Sequence, residues 1–399
     1  MAKKGSILLV SMPPYRGGVP ALVAIMGRHL ISLGWEVRLA FYATLGDNPD
    51  LVAPSWRLLS GAVPKMREEA PWNGMPTVAV GCRFPELEAT YTQSSAFWRK
   101  LVASHDRHIA IGGNPLVSNI LVECGVRHLL LCAASVEEDR CARAEAMPFL
   151  RRLVDTLAVR PLLEAQQKRA LASPLAIRMG ISRYTCRLIE AEGATPLRLL
   201  PIPTDGARFT PPAVAAAPGV IGFAARLGDP RKRVPMLIEA VALLAQDGHS
   251  VRLRLAGEAP AFLPALAERL GIAGLVEFLG HVPDEHLPAF YQSLDVFALP
   301  SSQEGLGIVG IEAMASGVPV VSAARNCGPD DFVVEGVTGA FAGDSPRELA
   351  DRLAAIIGDR PLRAAMSAAA RQHAVLRFGE EAFAAGLAEA WRDAWGDAP

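Results

Sequence analysis

The chain has 399 residues, 51% of them hydrophobic and 20% charged, with a formal net charge of −1, so it can bury ample core in two or three domains, and its near-neutral balance excludes bulk electrostatic capture of nucleic acid. The basic start Met1-Ala2-Lys3-Lys4 is followed by an apolar run too short for a signal peptide, and no window supplies the roughly 18 uncharged apolar residues of a transmembrane helix. Six scattered cysteines (Cys82, Cys124, Cys132, Cys141, Cys186, Cys327) without a C-x-x-C pair read as reduced cytosolic thiols, with neither a disulfide framework nor structural zinc.

In chain order, the first expected strand is Ser6 to Ser11. A loop, P-P-Y-R-G-G-V, leads into a helix that runs through Leu33 and closes at Gly34. A strand from Glu36 to Tyr42 completes a β-α-β unit, which seeds a parallel sheet. Strand-like runs at Thr77 to Val80, His108 to Ile111 and His128 to Cys132 follow at helix-length spacing, and Leu197 to Pro201 closes this half. Thr210 to Pro218, rich in Pro and Ala, reads as a linker. The second half restarts with strand Val220 to Ala224, helix Val234 to Ala245, strand Val251 to Ala256 and a helix near Leu263 to Leu270. Strands at Val276 to Leu279, Val296 to Leu299 and Val318 to Ser322 follow, and an amphipathic helical tail covers Phe378 to Trp395. Alternation of strand and helix in both halves predicts two doubly wound α/β domains facing each other, with ligand in the cleft at the carboxyl ends of their strands. The boundaries expected are 1–205 and 206–379, with a C-terminal helix at about 380–399 packing back on the first domain.

The most informative segment is Gln303 to Pro319, Q-E-G-L-G-I-V-G-I-E-A-M-A-S-G-V-P. Gly305 and Gly307 lack a Cβ, so the backbone there can turn sharply and approach a ligand closely. The apolar run from Ile308 starts a helix whose free N–H groups face the same spot, a place for phosphate that needs no metal. Glu312 lies about one turn inside that helix and Glu304 just outside it. One carboxylate is placed to accept hydrogen bonds from vicinal hydroxyls such as those of a ribose, and the other to face what hangs beyond the phosphates. Two glutamates eight apart mean little alone; the order strand, glycines, helix start and second strand is what makes a nucleotide-sugar pocket the reading.

This order of motifs resembles the retaining glycosyltransferases of family four, which have the GT-B fold of two Rossmann-like domains. Pro300-Ser301-Ser302 precedes the E-x7-E element as in that family, and Ala315 to Val321 matches its A-x-G-x-P-V-V. The resemblance implies that Arg226 and Lys232, in the run Ala225 to Arg233, clamp the donor diphosphate, with Arg231 as the alternative to Lys232. Two fixed cations do there what a metal ion does in metal-dependent transferases. It further implies Glu312 on the ribose, Glu304 facing the sugar ring, and the amides of Gly305, Leu306, Gly307 and Ile308 around sugar and phosphate. His281 and Val282, in the turn G-H-V-P, would lie at the base edge. Cys327 to Gly339 resembles a segment that shapes the site, with Asp331 toward the cleft. In the first domain Gly17 and Gly18 stand where the family sets a Gly-Gly turn against donor phosphate and acceptor.

The chain also departs from the family. A histidine that many members carry after the strand matching His128 to Cys132 is replaced by Ala133, Ala134 and Ser135, and a His-x-His at the preceding strand end by Ile109 to Asn114. Asn114 and Ser135 are the polar groups left for the acceptor side. The function implied is transfer, with retention and without a metal or other cofactor, of a hexosyl unit from a UDP- or GDP-linked sugar. The acceptor hydroxyl would belong to a surface polysaccharide or lipid-linked glycan, or to a small-molecule natural product. A nucleotide-sugar 2-epimerase of the same fold and a two-domain sugar-binding protein are the competing readings. Basic residues between Arg151 and Arg187, namely Arg151, Arg152, Arg160, Lys168, Arg169, Arg178, Arg183 and Arg187, describe either a peripheral membrane contact at the inner face or, more commonly, a solvated helix face.

Overall fold

The computed structural model describes residues 4–14, 18–136, 152–153, 155–193, 196–213 and 219–399, without the side chains of 58–60 and 158. The chain forms two compact units, one of Met1–Leu200 with Ala385–Pro399 and the other of Pro201–Ala384.

The first unit carries an eight-stranded sheet of β1 (Ser6–Ser11), β2 (Glu36–Tyr42), β3 (Met66–Trp72), β4 (Met75–Val80), β5 (Arg107–Gly112), β6 (His128–Cys132), β7 (Ala176–Gly180) and β8 (Arg198–Leu199) in the order β3-β4-β2-β1-β5-β6-β7-β8. Its central strands are apolar without alternation because helices cover both faces: Ile7, Leu8, Leu9 and Val10 are all fully buried. The expected parallel sheet is corrected at one edge, where β3 runs antiparallel to β4. Its sequence, M-R-E-E-A-P-W, is polar and contains Pro71, as suits an exposed edge strand. The Asn73-Gly74 pair, both residues with positive φ (48° and 78°), makes the hairpin turn and was the available sequence signal.

The second unit holds an all-parallel sheet of β9 (Val220–Ala224), β10 (Arg252–Ala256), β11 (Val276–Phe278), β12 (Val296–Leu299), β13 (Val320–Ser322) and β14 (Gly339–Phe341) in the order β11-β10-β9-β12-β13-β14. β14 and β7 are strands beyond those expected; β14 has only three residues and β7 carries Arg178, so neither has a clear apolar run. The expected linker from Thr210 lies partly outside the described residues, and its described start is fastened to the second unit. Gln292 Nε2 donates to the Thr210 carbonyl at 2.8 Å, and Phe209 is buried. The last helix, Glu380–Trp395, ends within the first unit. There Trp391 is fully buried against Trp35, ring centroids 5.1 Å apart, and Arg107 lies over the Trp395 ring.

Among the described residues no helix is long and apolar enough to cross a membrane. Among the described residues Cys82, Cys124, Cys132, Cys186 and Cys327 form no disulfide. Of the basic residues in 151–187, Arg151 lies outside the described residues. Arg160 pairs with Glu164, Arg169 with Glu123, and Arg178 donates to the Ser173 and Ala176 carbonyls.

Candidate functional site

In the second unit β9 feeds β10 on one side and β12 feeds β13 on the other, so the strand order reverses between β9 and β12. Loops leaving neighbouring strands in opposite directions open a crevice at their carboxyl ends. The loop after β9 and the loop after β12 are stitched together there. Ser302 N donates to the Arg231 carbonyl at 2.8 Å, and Arg233 donates from Nε to the Pro300 carbonyl at 2.7 Å and from Nη2 to that of Ser301 at 3.1 Å. Arg233 adopts a left-handed backbone (φ 44°), which ends the short 3-10 turn Pro230–Lys232 and starts the helix Val234–Gln246.

Lys232 and Glu304, chosen from two distant motifs, meet in this crevice: Nζ lies 2.7 Å from Glu304 Oε1, and the two side chains are only 19% and 11% exposed. Ser301 Oγ donates to the same carboxylate oxygen at 2.6 Å. Arg231 instead turns to Asp229, 2.8 Å away, and is half exposed. Of Arg231 and Lys232, it is therefore Lys232 that stands at Glu304. Asp229 also caps the turn by accepting from Arg231 N at 3.0 Å, and its hydrogen bonds to Arg231 hold its carboxyl below the usual range. Arg226, 3.4 Å from Asp229, is the open cation, its side chain 77% exposed.

Gly307 has φ 90° and begins the helix Ile308–Ala315 with no side chain capping it, so the helix start presents bare backbone donors. Leu306 is buried, anchoring the loop, while Gly305, Gly307 and Ile308 are half-buried. Gly328 packs on this loop from Cys327–Gly339: its N–H donates to the Glu304 carbonyl at 2.9 Å, and a Cβ there would fall 2.4 Å from Leu306 Cα. The backbone carbonyl of Asp331 accepts from His373, which places this residue's main chain in packing.

A pocket of about 960 Å³ opens beside these loops, lined by Arg226, Asp229, His281, Val282, Tyr291 and Val309 among others. His281 is exposed and its N–H donates to Glu258 Oε1 at 3.3 Å. Glu312 is reached through Tyr291, whose hydroxyl donates to Oε2 at 2.8 Å. Burial pushes the Glu312 carboxyl up to about 7, against the pull of the Tyr291 hydrogen bond and the Arg208 charge. Burial raises the Tyr291 phenol well above its ordinary range. Sequence reasoning missed Tyr291, Arg208, Arg233 and Ser301. Ser301 stood in the quoted P-S pair, but nothing local marks Tyr291 as more than core.

The remaining candidates lie in the first unit. Gly17 is outside the described residues, and Gly18 is the first residue of the helix Gly18–Ser32, with open space where a Cβ would stand. Asn114 caps the 3-10 turn Pro115–Ser118, its Oδ1 accepting from Leu116 N at 3.1 Å, and Ser135 is 2% exposed. Among the described residues no group of three or more His, Cys, Asp or Glu is gathered as a metal ion would require.

Residues 212–373 match the family model of glycosyl transferases group 1. A D-inositol 3-phosphate glycosyltransferase of Corynebacterium urealyticum is 39% identical over 184 residues, 43% of this chain and 42% of that protein. Another of the same name, from Geodermatophilus obscurus, is 37% identical over 211 residues, 47% of this chain and 46% of that one. The chain therefore spans less than half the length of these curated relatives. Among solved structures, Anabaena Alr3699/HepE in complex with UDP superimposes with a TM-score of 0.72 at 18% identity, over 97% of this chain and 100% of that one. Sucrose-phosphate synthase from Thermosynechococcus elongatus gives 0.70 at 18%, over 98% and 100%. WaaG, a glycosyltransferase involved in lipopolysaccharide biosynthesis, gives 0.68 at 18%, over 98% and 100%. The chain has the GT-B fold.

Proposed function

We propose that this protein is a retaining glycosyltransferase that moves a hexosyl unit from a nucleoside diphosphate sugar to an acceptor hydroxyl, without a metal ion. The observation that carries this reading is the union of Lys232 with Glu304 at the β9/β12 crevice, next to a nucleotide-sized pocket that holds Arg226. Arg226 and Lys232 take the diphosphate, the uncapped start of the helix Ile308–Ala315 supports phosphate and sugar, Glu304 faces the sugar ring, and Glu312 takes the ribose hydroxyls. The match to the group 1 model and the UDP held by the Anabaena neighbour support a nucleotide-sugar donor. Retention fits a dissociative, same-face displacement in which a donor phosphate oxygen receives the acceptor's proton. The protein then contributes charge and orientation more than acid–base chemistry.

Screening UDP- and GDP-sugars by thermal shift tests this directly. A ligand at a hundred times its Kd adds about 2.7 kcal/mol to the unit that binds it, so the true donor raises the melting temperature by several degrees, with or without chelator. No shift from any nucleotide sugar, or a shift that chelator abolishes, overturns the reading. A second expected result concerns Gly328. Its replacement by alanine drives a Cβ into the Leu306 backbone and displaces the phosphate-facing loop, lowering donor turnover about tenfold or more. Unchanged donor hydrolysis by Gly328→Ala would remove that loop from the site.

A further inference from the structure

The Glu312 carboxylate carries more support than ribose binding alone would need. Tyr291, at the end of the short helix Leu287–Gln292, is fully buried, and its ring is set edge-on to Phe209 (5.8 Å) and Phe290 (5.3 Å) and tilted against Phe297 (5.8 Å). A phenol held by three rings cannot swing, so the direction of its 2.8 Å hydrogen bond to Glu312 Oε2 is fixed. The other carboxylate oxygen, Oε1, has no protein hydrogen-bond partner among the described residues. One oxygen is thus held while the other is left to accept from a ligand.

Arg208 contributes from a different element. Asp205 Oδ1 accepts from the N–H groups of Ala207 (3.0 Å) and Arg208 (2.9 Å), which fixes the backbone at that position. The guanidinium lies over the Phe209 ring, 4.9 Å from its centre, and Nη2 donates to the Asp284 carbonyl. The groups that act on the Glu312 charge are therefore the Tyr291 hydroxyl and the Arg208 cation, which favour it, and the Asp284 carboxylate, which opposes it, all against the cost of burial.

We propose that Tyr291 is a positioning residue of the nucleotide site, which holds one oxygen of the Glu312 carboxylate so that the other meets the ribose hydroxyls, and that Arg208, seated on the Phe209 ring that packs against Tyr291, supports the same carboxylate. The proposal rests on the reading of Glu312 as the ribose acceptor. It extends that reading to Tyr291, which touches the carboxylate, and to Arg208, whose charge acts on it from the segment 201–209 by which the chain enters the second unit. It also predicts how binding responds to pH. A charged carboxylate accepts from both vicinal hydroxyls, so nucleotide affinity rises as Glu312 loses its proton. Taking away the phenol hydroxyl or the guanidinium charge moves that rise to higher pH.

The test is the Kd of UDP, and of GDP in parallel, from pH 6 to 9 for the wild type, Tyr291→Phe, Arg208→Gln and Arg208→Lys, with the 2′,3′-dideoxy nucleotides as a second ligand. Tyr291→Phe keeps the ring packing and Arg208 is exposed, so melting temperatures without ligand report whether each variant folds. In Tyr291→Phe and Arg208→Gln the midpoint of the affinity rise moves up by about half a unit or more, a roughly threefold or larger loss below the midpoint that closes toward pH 9. Arg208→Lys, which keeps the charge, stays near the wild type. A loss equal at every pH, or profiles that superimpose on the wild type, overturns the positioning role. The reading beneath it fails separately: a wild type that binds the dideoxy nucleotides as tightly as the native ones has no ribose acceptor at Glu312 at all.

Discussion

Glu304→Ala is expected to tighten UDP binding about threefold or more while lowering donor turnover about a hundredfold. The split follows from the Lys232–Glu304 pair. With the two side chains only 19% and 11% exposed and 2.7 Å apart, each charge is poorly solvated and largely spent on the other. An incoming diphosphate must compete with Glu304 for Lys232. Removing the carboxylate releases the cation, and the nucleotide binds more tightly. The same removal takes away the carboxylate proposed to face the sugar, so the transition state loses a fixed electrostatic partner. Lys232→Ala behaves in the opposite sense for binding. Glu304 is then left with the Ser301 hydroxyl and no cation, and UDP affinity falls together with turnover. Calorimetric titration with UDP and acceptor-free hydrolysis of the donor measure both quantities. Glu304→Ala with weakened UDP binding and intact turnover would sink the assignment of this pair to the site.

The meeting of the loops after β9 and β12 was legible because each belongs to a strand–loop–helix unit whose loop chemistry is local. Arg226 and Lys232 follow β9, and Glu304, Gly305 and Gly307 follow β12; the order of elements then puts the two loops in one crevice. What the sequence hid was long-range pairing. Lys232 and Arg231 are indistinguishable as letters, and only the left-handed turn at Arg233 sends one toward Glu304 and the other to Asp229. Tyr291 reads as one more apolar residue before β12, because a fully buried ring shows nothing of what its hydroxyl reaches. The edge strand β3 was lost for the converse reason: a strand that is polar on its exposed side has no alternation strong enough to outweigh Pro71, and only the Asn73-Gly74 turn betrayed it. Asn114, read from the chain as a polar group for the acceptor side, proves to cap a turn with its side-chain oxygen. A short polar residue after a strand serves either purpose, and its neighbours in sequence do not say which.

Glu312→Gln is expected to stabilise the ligand-free protein above pH 7 and to weaken nucleotide binding at the same time. The carboxyl is held at about 7 in the folded chain, chiefly by burial, whereas a glutamate in the unfolded chain titrates near 4.3. Between those values the folded state binds the extra proton, so stability falls as pH rises through the window. Below about 4 both states are protonated and the penalty is absent; above about 7 it is fully present. A shift of this size corresponds to at most about 4 kcal/mol, and a neutral glutamine removes it. For a unit of this size each kcal/mol is worth about 2–4 °C, so the variant should melt several degrees above the wild type at pH 8 and close to it at pH 4. Nucleotide affinity moves the other way, because an amide offers the ribose hydroxyls a weaker acceptor than a carboxylate; a loss of about tenfold or more is expected. Melting curves at the two pH values, with and without UDP, read both effects from the same samples. A variant no more stable at pH 8 would mean that Glu312 is not held under strain by burial, and one that binds UDP as tightly as the wild type would mean that this strain serves no ligand. Together, the two outcomes decide whether the second unit keeps a destabilising buried carboxylate because the nucleotide needs it.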